Sequence, residues 1–137
     1  MLTIYSVPVA SYCAKLRIVL RNKNIIFNEL PPPGGYGSNE YRKIVPSGNL
    51  PAMIHDDFML SDSESIAEYL DEFFPSIPMM PNAIKLRAKA REFSRSHDTR
   101  LEPAVRKLYP EVEFSTRNIE SVELTGFEIS KQLAALA

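Results

Sequence analysis

Two short stretches of the sequence place polar groups where a small charged molecule can bind. In the first, Leu50-Pro51 opens an apolar run. Because proline has no N–H, the backbone there cannot continue a regular strand ladder. The N–H and C=O of Leu50 are then free to pair with an extended, peptide-like ligand, as an added strand would. The alternative is a trans proline that only opens an edge strand.

The second stretch, Ser61-Asp62-Ser63-Glu64, precedes an amphipathic helix. Free N–H groups and the positive end of the helix dipole favour an anion there. The same residues can also serve the helix alone, because Ser61 with Glu64 makes a capping box and Asp62 or Ser63 can cap equally well. The two uses are compatible, since a helix start has several donors to satisfy.

Three elements at the start of the chain predict a parallel pair of strands. Leu2–Ser6 and Ile25–Leu30 are short runs typical of strands. Between them, Ser11–Asn22 has apolar residues at helical spacing. A strand, a helix and a strand within about thirty residues form a right-handed crossover unit in nearly all known cases.

The next elements complete an α/β domain. The run PPPGGYG at Pro31–Gly37 is a loop, and Ser38–Val45 is predicted to hold a short helix. Ala52–His55 and Phe58–Leu60 are predicted strands, joined by a tight turn and therefore antiparallel. With the helix after Ser61, the order is βαβ-ββα, which is the thioredoxin-like arrangement.

A proline-rich segment divides the chain. Residues 76–82 predict a stiff linker between a first domain at 1–75 and an all-helical domain at 83–137. A long amphipathic helix should follow the linker and kink or end near Pro103. A last helix is expected from about Ile119. The predicted class is therefore α/β plus α.

A histidine and an aspartate, His97-Asp98, lie side by side on the predicted long helix. Adjacent helical residues point to different faces, so a general base with its orienting carboxylate is not expected. His97 falls on the apolar stripe, and we interpret it as a packed, hydrogen-bonded side chain.

Three motifs in this order resemble the thioredoxin-fold half of the glutathione transferases, of the zeta- or theta-like bacterial type. They are Leu50-Pro51, Asp62-Ser63 and the helix motif Ile66-x-x-Tyr69-Leu70. The resemblance covers roughly residues 1–80. It implies a cis bond before Pro51 and pairing of Leu50 with the cysteinyl part of glutathione. It also implies that Ser63 and the helix start hold the γ-glutamyl carboxylate, while Asp62 faces the ammonium group.

The resemblance further implies that the protein activates the glutathione thiol. Aligning on Tyr12-Cys13 puts Ala10 where many relatives keep the reactive residue, so we interpret Ser11 as the thiolate donor. Cys13 is the rival: it is either a buried apolar thiol or the residue that forms a mixed disulfide with glutathione. Tyr5 is a third candidate, although its strand position favours core packing.

Composition excludes several other functions. Sixteen basic and seventeen acidic residues give a net charge of −1, and no basic stripe suggests nucleic acid. No apolar run is long enough to suggest a membrane span. No cluster of metal-ligating residues suggests a metal site. With a single cysteine, Cys13, a reducing, cytoplasmic location is expected. Glutathione would be a co-substrate, with no other cofactor.

The helical part is short beside that of the family. A truncated helical domain should expose apolar surface, lose stability or form a homodimer. The resemblance implies three possible functions: transfer of glutathione to a small hydrophobic electrophile by conjugation or isomerisation, a non-catalytic binding module, or a glutaredoxin-like thiol transferase that uses Cys13.

Overall fold

The computed structural model describes residues 1–136, and within them four strands form one mixed sheet. The strand order is β2-β1-β3-β4. β1 runs parallel to β2 and antiparallel to β3, and β3 is antiparallel to β4. This order confirms the predicted thioredoxin-like arrangement. The strands are β1 (Leu2–Tyr5), β2 (Asn28–Leu30), β3 (Ala52–His55) and β4 (Phe58–Leu60).

The helices of this first part lie between the strands in the predicted order. They are α1 (Ser11–Asn22), α2 (Asn39–Arg42) and α3 (Ser63–Phe73). Side chains alternate across the sheet, as strand geometry requires. Ile4 and Met53 belong to the cluster with α1 and α3. Their neighbours Tyr5 and Ala52 belong to a second cluster, which includes Tyr41 of α2. The sheet therefore buries both faces.

β2 is shorter than the predicted strand over Ile25–Leu30. The reason lies at the end of α1, where Lys23 N–H donates to Val19 C=O and Ile25 N–H to Leu20 C=O, both at 3.0 Å. A helix end of this type satisfies its last carbonyls with the residues that follow. Those residues are therefore unavailable to the sheet, and pairing begins at Asn28.

A buried lysine fixes the end of this part of the chain. The Lys23 side chain is 1% exposed and its Nζ lies 2.7 Å from an Asp71 carboxylate oxygen. The same Nζ donates to Ile77 C=O at 2.6 Å, and the N–H of Met79 donates to Asp71 at 2.7 Å. The chain divides into two units just after these contacts, at Met79. We call Met1–Met79 unit 1 and the part from Met80 on unit 2.

Unit 2 is helical throughout most of its described length. A five-residue π-helical turn, His97–Leu101, interrupts the predicted long helix. Pro103 lies two residues beyond it. Because proline cannot donate to the carbonyl four residues earlier, a regular α-helix cannot pass through. Ala137, the end of the predicted helical domain, lies outside the described residues. The helices are α4 (Ile84–Ser96), α5 (Glu102–Arg106), the 3-10 turn Tyr109–Val112 and α6 (Ile119–Ala134).

Unit 2 exposes many apolar side chains within its described residues. Phe93 is 59% exposed and Leu133 is 51% exposed, while Leu101 and Ile129 are only partly buried. No helix within residues 1–136 combines the length and the apolar character needed to cross a membrane. Other exposed apolar side chains are Ile84, Leu86, Phe114, Leu124 and Phe127.

Candidate functional site

The loop before β3 presents main-chain groups without protein partners. The peptide bond between Leu50 and Pro51 is cis, as the family resemblance implies. Pro51 is fully buried and Leu50 is partly exposed. Within residues 1–136, neither the N–H nor the C=O of Leu50 makes a hydrogen bond. An extended ligand therefore has one donor and one acceptor available at the same residue.

Side chains of α2 hold this loop in place. The buried Tyr41 donates its hydroxyl to Asn49 C=O at 2.8 Å, and Arg42 donates to Ser47 C=O at 3.0 Å. Gly48 has φ +70°, a conformation that glycine adopts at little cost. Two side chains of α2, those of Tyr41 and Arg42, thus hold the loop in place.

α3 begins with an aspartate cap. Asp62 accepts hydrogen bonds from the N–H of Ser65 at 2.8 Å and from its hydroxyl at 2.9 Å. The N–H bond is the main reason that the pKa of the Asp62 carboxyl is lowered from its usual value. The capping residue is therefore Asp62, out of the three candidates. Glu64 instead forms an ion pair with Lys15 of α1.

Ser63, the first residue of α3, has unused polar groups. It is 6% exposed, and no residue in the described part of the chain hydrogen-bonds to its hydroxyl or its N–H. The two loops of the site are joined close by, where the hydroxyls of Ser47 and Ser61 lie 3.0 Å apart. The structure thus ties the Leu50 loop to the residues that lead into Ser63.

α1 begins at Ser11, and Ala10 is its cap residue. Ala10 has no side-chain oxygen to satisfy the first N–H groups, and the first turn contains no acidic residue. The positive end of this helix is therefore not neutralised by its own side chains. Ser11 is partly buried at this helix end. This position suits a donor to an anionic sulfur.

Cys13 lies two residues after Ser11 in α1 and is 1% exposed. Burial raises the pKa of its thiol, and this effect outweighs the opposing hydrogen bond with the Val7 backbone and the nearby Arg17 charge. A buried thiol with a raised pKa is poorly reactive. Tyr5 packs edge-on against Tyr41 with ring centroids 5.5 Å apart, which is the core role expected for it.

A polar network beside β1 was not found by sequence reasoning. Arg17 donates from Nε to Glu29 at 2.5 Å, and from Nη2 to Ser6 Oγ at 3.0 Å and Val7 C=O at 2.9 Å. Ser6 also donates to Glu29, and this bond is the main reason that the pKa of the Glu29 carboxyl is lowered. The network fastens the start of the loop that leads to α1.

The expectation for His97 and Asp98 was wrong in one respect. Their side chains do not diverge, because Nδ1 of His97 lies 2.8 Å from a carboxylate oxygen of Asp98. The two residues fall in the π-helical turn, whose wider winding changes the angle between neighbours. His97 remains partly buried and hydrogen-bonded, as predicted.

Comparisons with known proteins agree with this arrangement. Residues 4–78 match the family model described as "Glutathione S-transferase, N-terminal domain". The chain is 34% identical over 90 residues to a stringent starvation protein A homolog of Pasteurella multocida, which covers 66% of this chain and 42% of that protein. It is 32% identical over 90 residues to glutathione S-transferase Z1 of Arabidopsis thaliana, covering 64% and 41%. The matched segment thus spans about two fifths of these relatives.

Solved structures show the same fold over nearly the whole chain. Glutathione transferase F7 from Populus trichocarpa gives a TM-score of 0.81 at 19% identity, over 98% of this chain and 68% of that one. A maleyl pyruvate isomerase, described as a bacterial zeta-class glutathione S-transferase, gives a TM-score of 0.81 at 18% identity, over 97% of this chain and 66% of that one. At such identities the likeness concerns the fold alone.

Proposed function

Because the chain belongs to the glutathione S-transferase family, we propose that unit 1 binds glutathione and activates its thiol for attack on a small hydrophobic electrophile. One observation carries the proposal. The unpaired N–H and C=O of Leu50 lie in a loop that is tied to the start of α3, where Ser63 also has unused polar groups. Glutathione is a short peptide with carboxylates, which suits such a pair of features.

Leu50 would bind the middle of the tripeptide. Its N–H and C=O would exchange hydrogen bonds with the main chain of the cysteinyl residue, as when a strand is added to a sheet edge. Such pairing recognises only the main chain of the ligand and none of its side chains. It fixes the direction of the tripeptide and hence the place of its sulfur.

The start of α3 would bind the γ-glutamyl end. The Ser63 hydroxyl and N–H would donate to the α-carboxylate, aided by the helix dipole. Asp62 would face the ammonium group, and its lowered pKa means that it is ionised at neutral pH. The side chain is one methylene shorter than the glutamate common in the family, so the ligand would lie closer to the backbone here.

Ser11 would stabilise the thiolate. Lowering a thiol pKa by two units takes about 2.7 kcal/mol, and a hydroxyl donor with an uncompensated helix end supplies such an effect. The sulfur would then attack an electrophilic carbon, in conjugation or in an isomerisation. We assign no metal or further cofactor, because glutathione itself supplies the reactive group.

Calorimetry with glutathione and turnover of a chlorinated nitroaromatic test this function separately. We expect heat of binding from the wild type, and turnover that exceeds that of a Ser11→Ala variant. Heat without turnover would reject conjugation for that substrate class and leave binding intact. No heat and no thermal shift would reject the proposal.

We also propose that the protein is a cytoplasmic homodimer acting in detoxification. α3 contains four acidic and no basic residues, whereas α4 contains five basic and one acidic. The exposed apolar side chain of Phe93 lies on α4. Helices of opposite charge with apolar residues among them suit a reciprocal contact between two copies. Sedimentation should show a dimer that Phe93→Glu weakens, while Ile26→Glu, at a site 94% exposed in unit 1, leaves it intact.

A non-catalytic binding module is the second candidate. Ala10, rather than a hydroxyl residue, is the cap residue of α1, and several matched proteins are named stringent starvation protein A homologs. In this case glutathione would bind without any effect of Ser11→Ala on its thiol pKa.

The thiol transferase that uses Cys13 has less support, because that thiol is buried and its pKa is raised. Mass spectrometry of folded protein after treatment with oxidised glutathione decides it. A glutathionylated Cys13 would favour this function, and an unmodified one would end it.

A further inference from the structure

A cavity in unit 1 lies beside α1 and β2 and shares no residue with the proposed glutathione site. Its volume is about 610 Å³, within the range of sites for small molecules. Its polar lining residues are Ser6, Arg17, Arg21 and Glu29, and its apolar lining residues are Pro8, Leu30 and Pro31.

The two arginines differ in what they bind. Arg17 is not available to a ligand, because its guanidinium already donates to Glu29 and to the Val7 C=O. Arg21 follows one helical turn later and is exposed, and within residues 1–136 its guanidinium forms neither a hydrogen bond nor an ion pair. The charge of Arg21 acts on Glu29 through space, but its guanidinium N–H donors make no hydrogen bond within residues 1–136 and remain available to a ligand in the cavity. A planar guanidinium in this position suits a carboxylate, which it can bind through two parallel hydrogen bonds.

The apolar lining residues favour a ligand that offers more than charge. Pro8 and Pro31 follow the two parallel strands, and both are exposed. Leu30, at the end of β2, also lines the cavity and is 43% exposed. Apolar surface of this kind gains free energy when a ligand covers it. An inorganic anion would leave it in water, whereas an organic anion would not.

We propose that this cavity binds a small organic carboxylate with a compact apolar body. Its carboxylate pairs with Arg21, and its body lies against Pro8, Leu30 and Pro31. The site stands on its own residues and does not depend on glutathione binding at Leu50 and Ser63.

Nuclear magnetic resonance titration with benzoate tests the site. Benzoate should shift the amide signals of Arg21, Glu29 and Leu30, and Arg21→Gln should weaken its binding at least tenfold. The matched control is Lys131→Gln, which removes an exposed cation from α6 and should leave the affinity unchanged. Benzamide lacks the negative charge and inorganic phosphate lacks the apolar body. Both should therefore bind at least tenfold more weakly than benzoate.

Three outcomes would overturn the proposal. Equal affinity in Arg21→Gln and wild type would remove the arginine from the site. Benzoate shifts confined to the exposed apolar residues of unit 2 would place the ligand elsewhere. Displacement of benzoate by glutathione would show that both occupy one site. Thermal unfolding is the check on the fold. If Arg21→Gln unfolds at the same temperature as the wild type, any loss of binding is not due to loss of the fold.

Discussion

The hydroxyl oxygens of Ser47 and Ser61 lie 3.0 Å apart, across the whole β3–β4 hairpin. This contact joins the loop that presents Leu50 to the loop that enters α3. Both parts of the proposed glutathione site are therefore placed by the protein before any ligand binds, which reduces the ordering that binding requires.

Replacing Ser63 should affect ligand binding without affecting stability. Its hydroxyl makes no hydrogen bond within residues 1–136, so Ser63→Ala should change the free energy of unfolding by less than about 0.5 kcal/mol. Loss of a hydrogen bond to a carboxylate should weaken glutathione binding about tenfold, measured by calorimetry. Ser76→Ala, in the exposed segment after α3, is the control and should weaken binding by less than about threefold. Equal losses in both variants would contradict the assignment.

Two replacements of Asp62 should separate its structural role from its binding role. Asp62→Asn keeps an oxygen that can cap α3, whereas Asp62→Ala should lose about 1 kcal/mol of stability. Both remove the charge that would face the ammonium group, so both should weaken glutathione binding to a similar extent. Urea unfolding measures the first difference and calorimetry the second.

Asp62 should also make stability depend on pH in acid. Its carboxyl has a lowered pKa in the folded protein, so the unfolded chain takes up protons first as the pH falls. This contribution is fully present above the unfolded pKa of about 3.9. It is lost as the pH falls further through the folded value, and Asp62→Asn should lack it. Urea unfolding at a series of pH values below about 5 checks the sign.

Replacing Ser11 should raise the thiol pKa of bound glutathione. With the hydroxyl removed, we expect a rise of about one unit, equivalent to about 1.4 kcal/mol, and a loss of turnover at neutral pH of about tenfold. Ultraviolet absorbance of the thiolate against pH measures the first effect. The control is Ser76→Ala, in the exposed segment after α3. An unchanged thiol pKa would support the non-catalytic alternative.

Breaking the buried ion pair of unit 1 should be costly. Lys23→Met leaves the Asp71 carboxylate partly buried with its main charge partner gone, which should destabilise unit 1 by about 3 kcal/mol. Asp71→Asn in the same chain should recover part of this loss, since the two changes act on one interaction. Lys43→Met, at an exposed site, should be nearly neutral. Urea unfolding of all variants gives the comparison.

Two glycines should respond in opposite directions to alanine. Gly126 lies inside α6, and no atom lies within 4 Å of the position that an alanine methyl group would take there, so Gly126→Ala should stabilise by about 1 kcal/mol. Gly48 has φ +70°, and Gly48→Ala should destabilise by about 1 kcal/mol or more. Thermal unfolding measures both, and the same sign for both would contradict the backbone argument.

Local signals predicted most of unit 1. α1 begins and ends where its apolar spacing indicates, and the Leu50-Pro51 pair marked the loop of the site, because these features depend on neighbouring residues alone. The shortening of β2 was missed because the hydrogen bonds of Ile25 to the end of α1 decide it. Which residue caps α3 was left open for a similar reason, since three adjacent side chains offer nearly equal chemistry.

Contacts between distant residues explain what sequence reasoning missed. The network of Arg17 with Ser6 and Glu29 joins α1, the loop after β1, and β2, and no spacing in the sequence indicates it. The π-helical turn results from Pro103, which indicated a kink but not its form. The bond between His97 and Asp98 followed from that form.

Because Cys13 is buried, the reactivity of its thiol can measure local unfolding of unit 1. Since it is the single cysteine of the chain and water scarcely reaches it, an aqueous thiol reagent can modify it only when α1 moves away from the sheet. The labelling rate at increasing urea therefore measures how often that helix detaches, residue-specifically and without any engineered dye site.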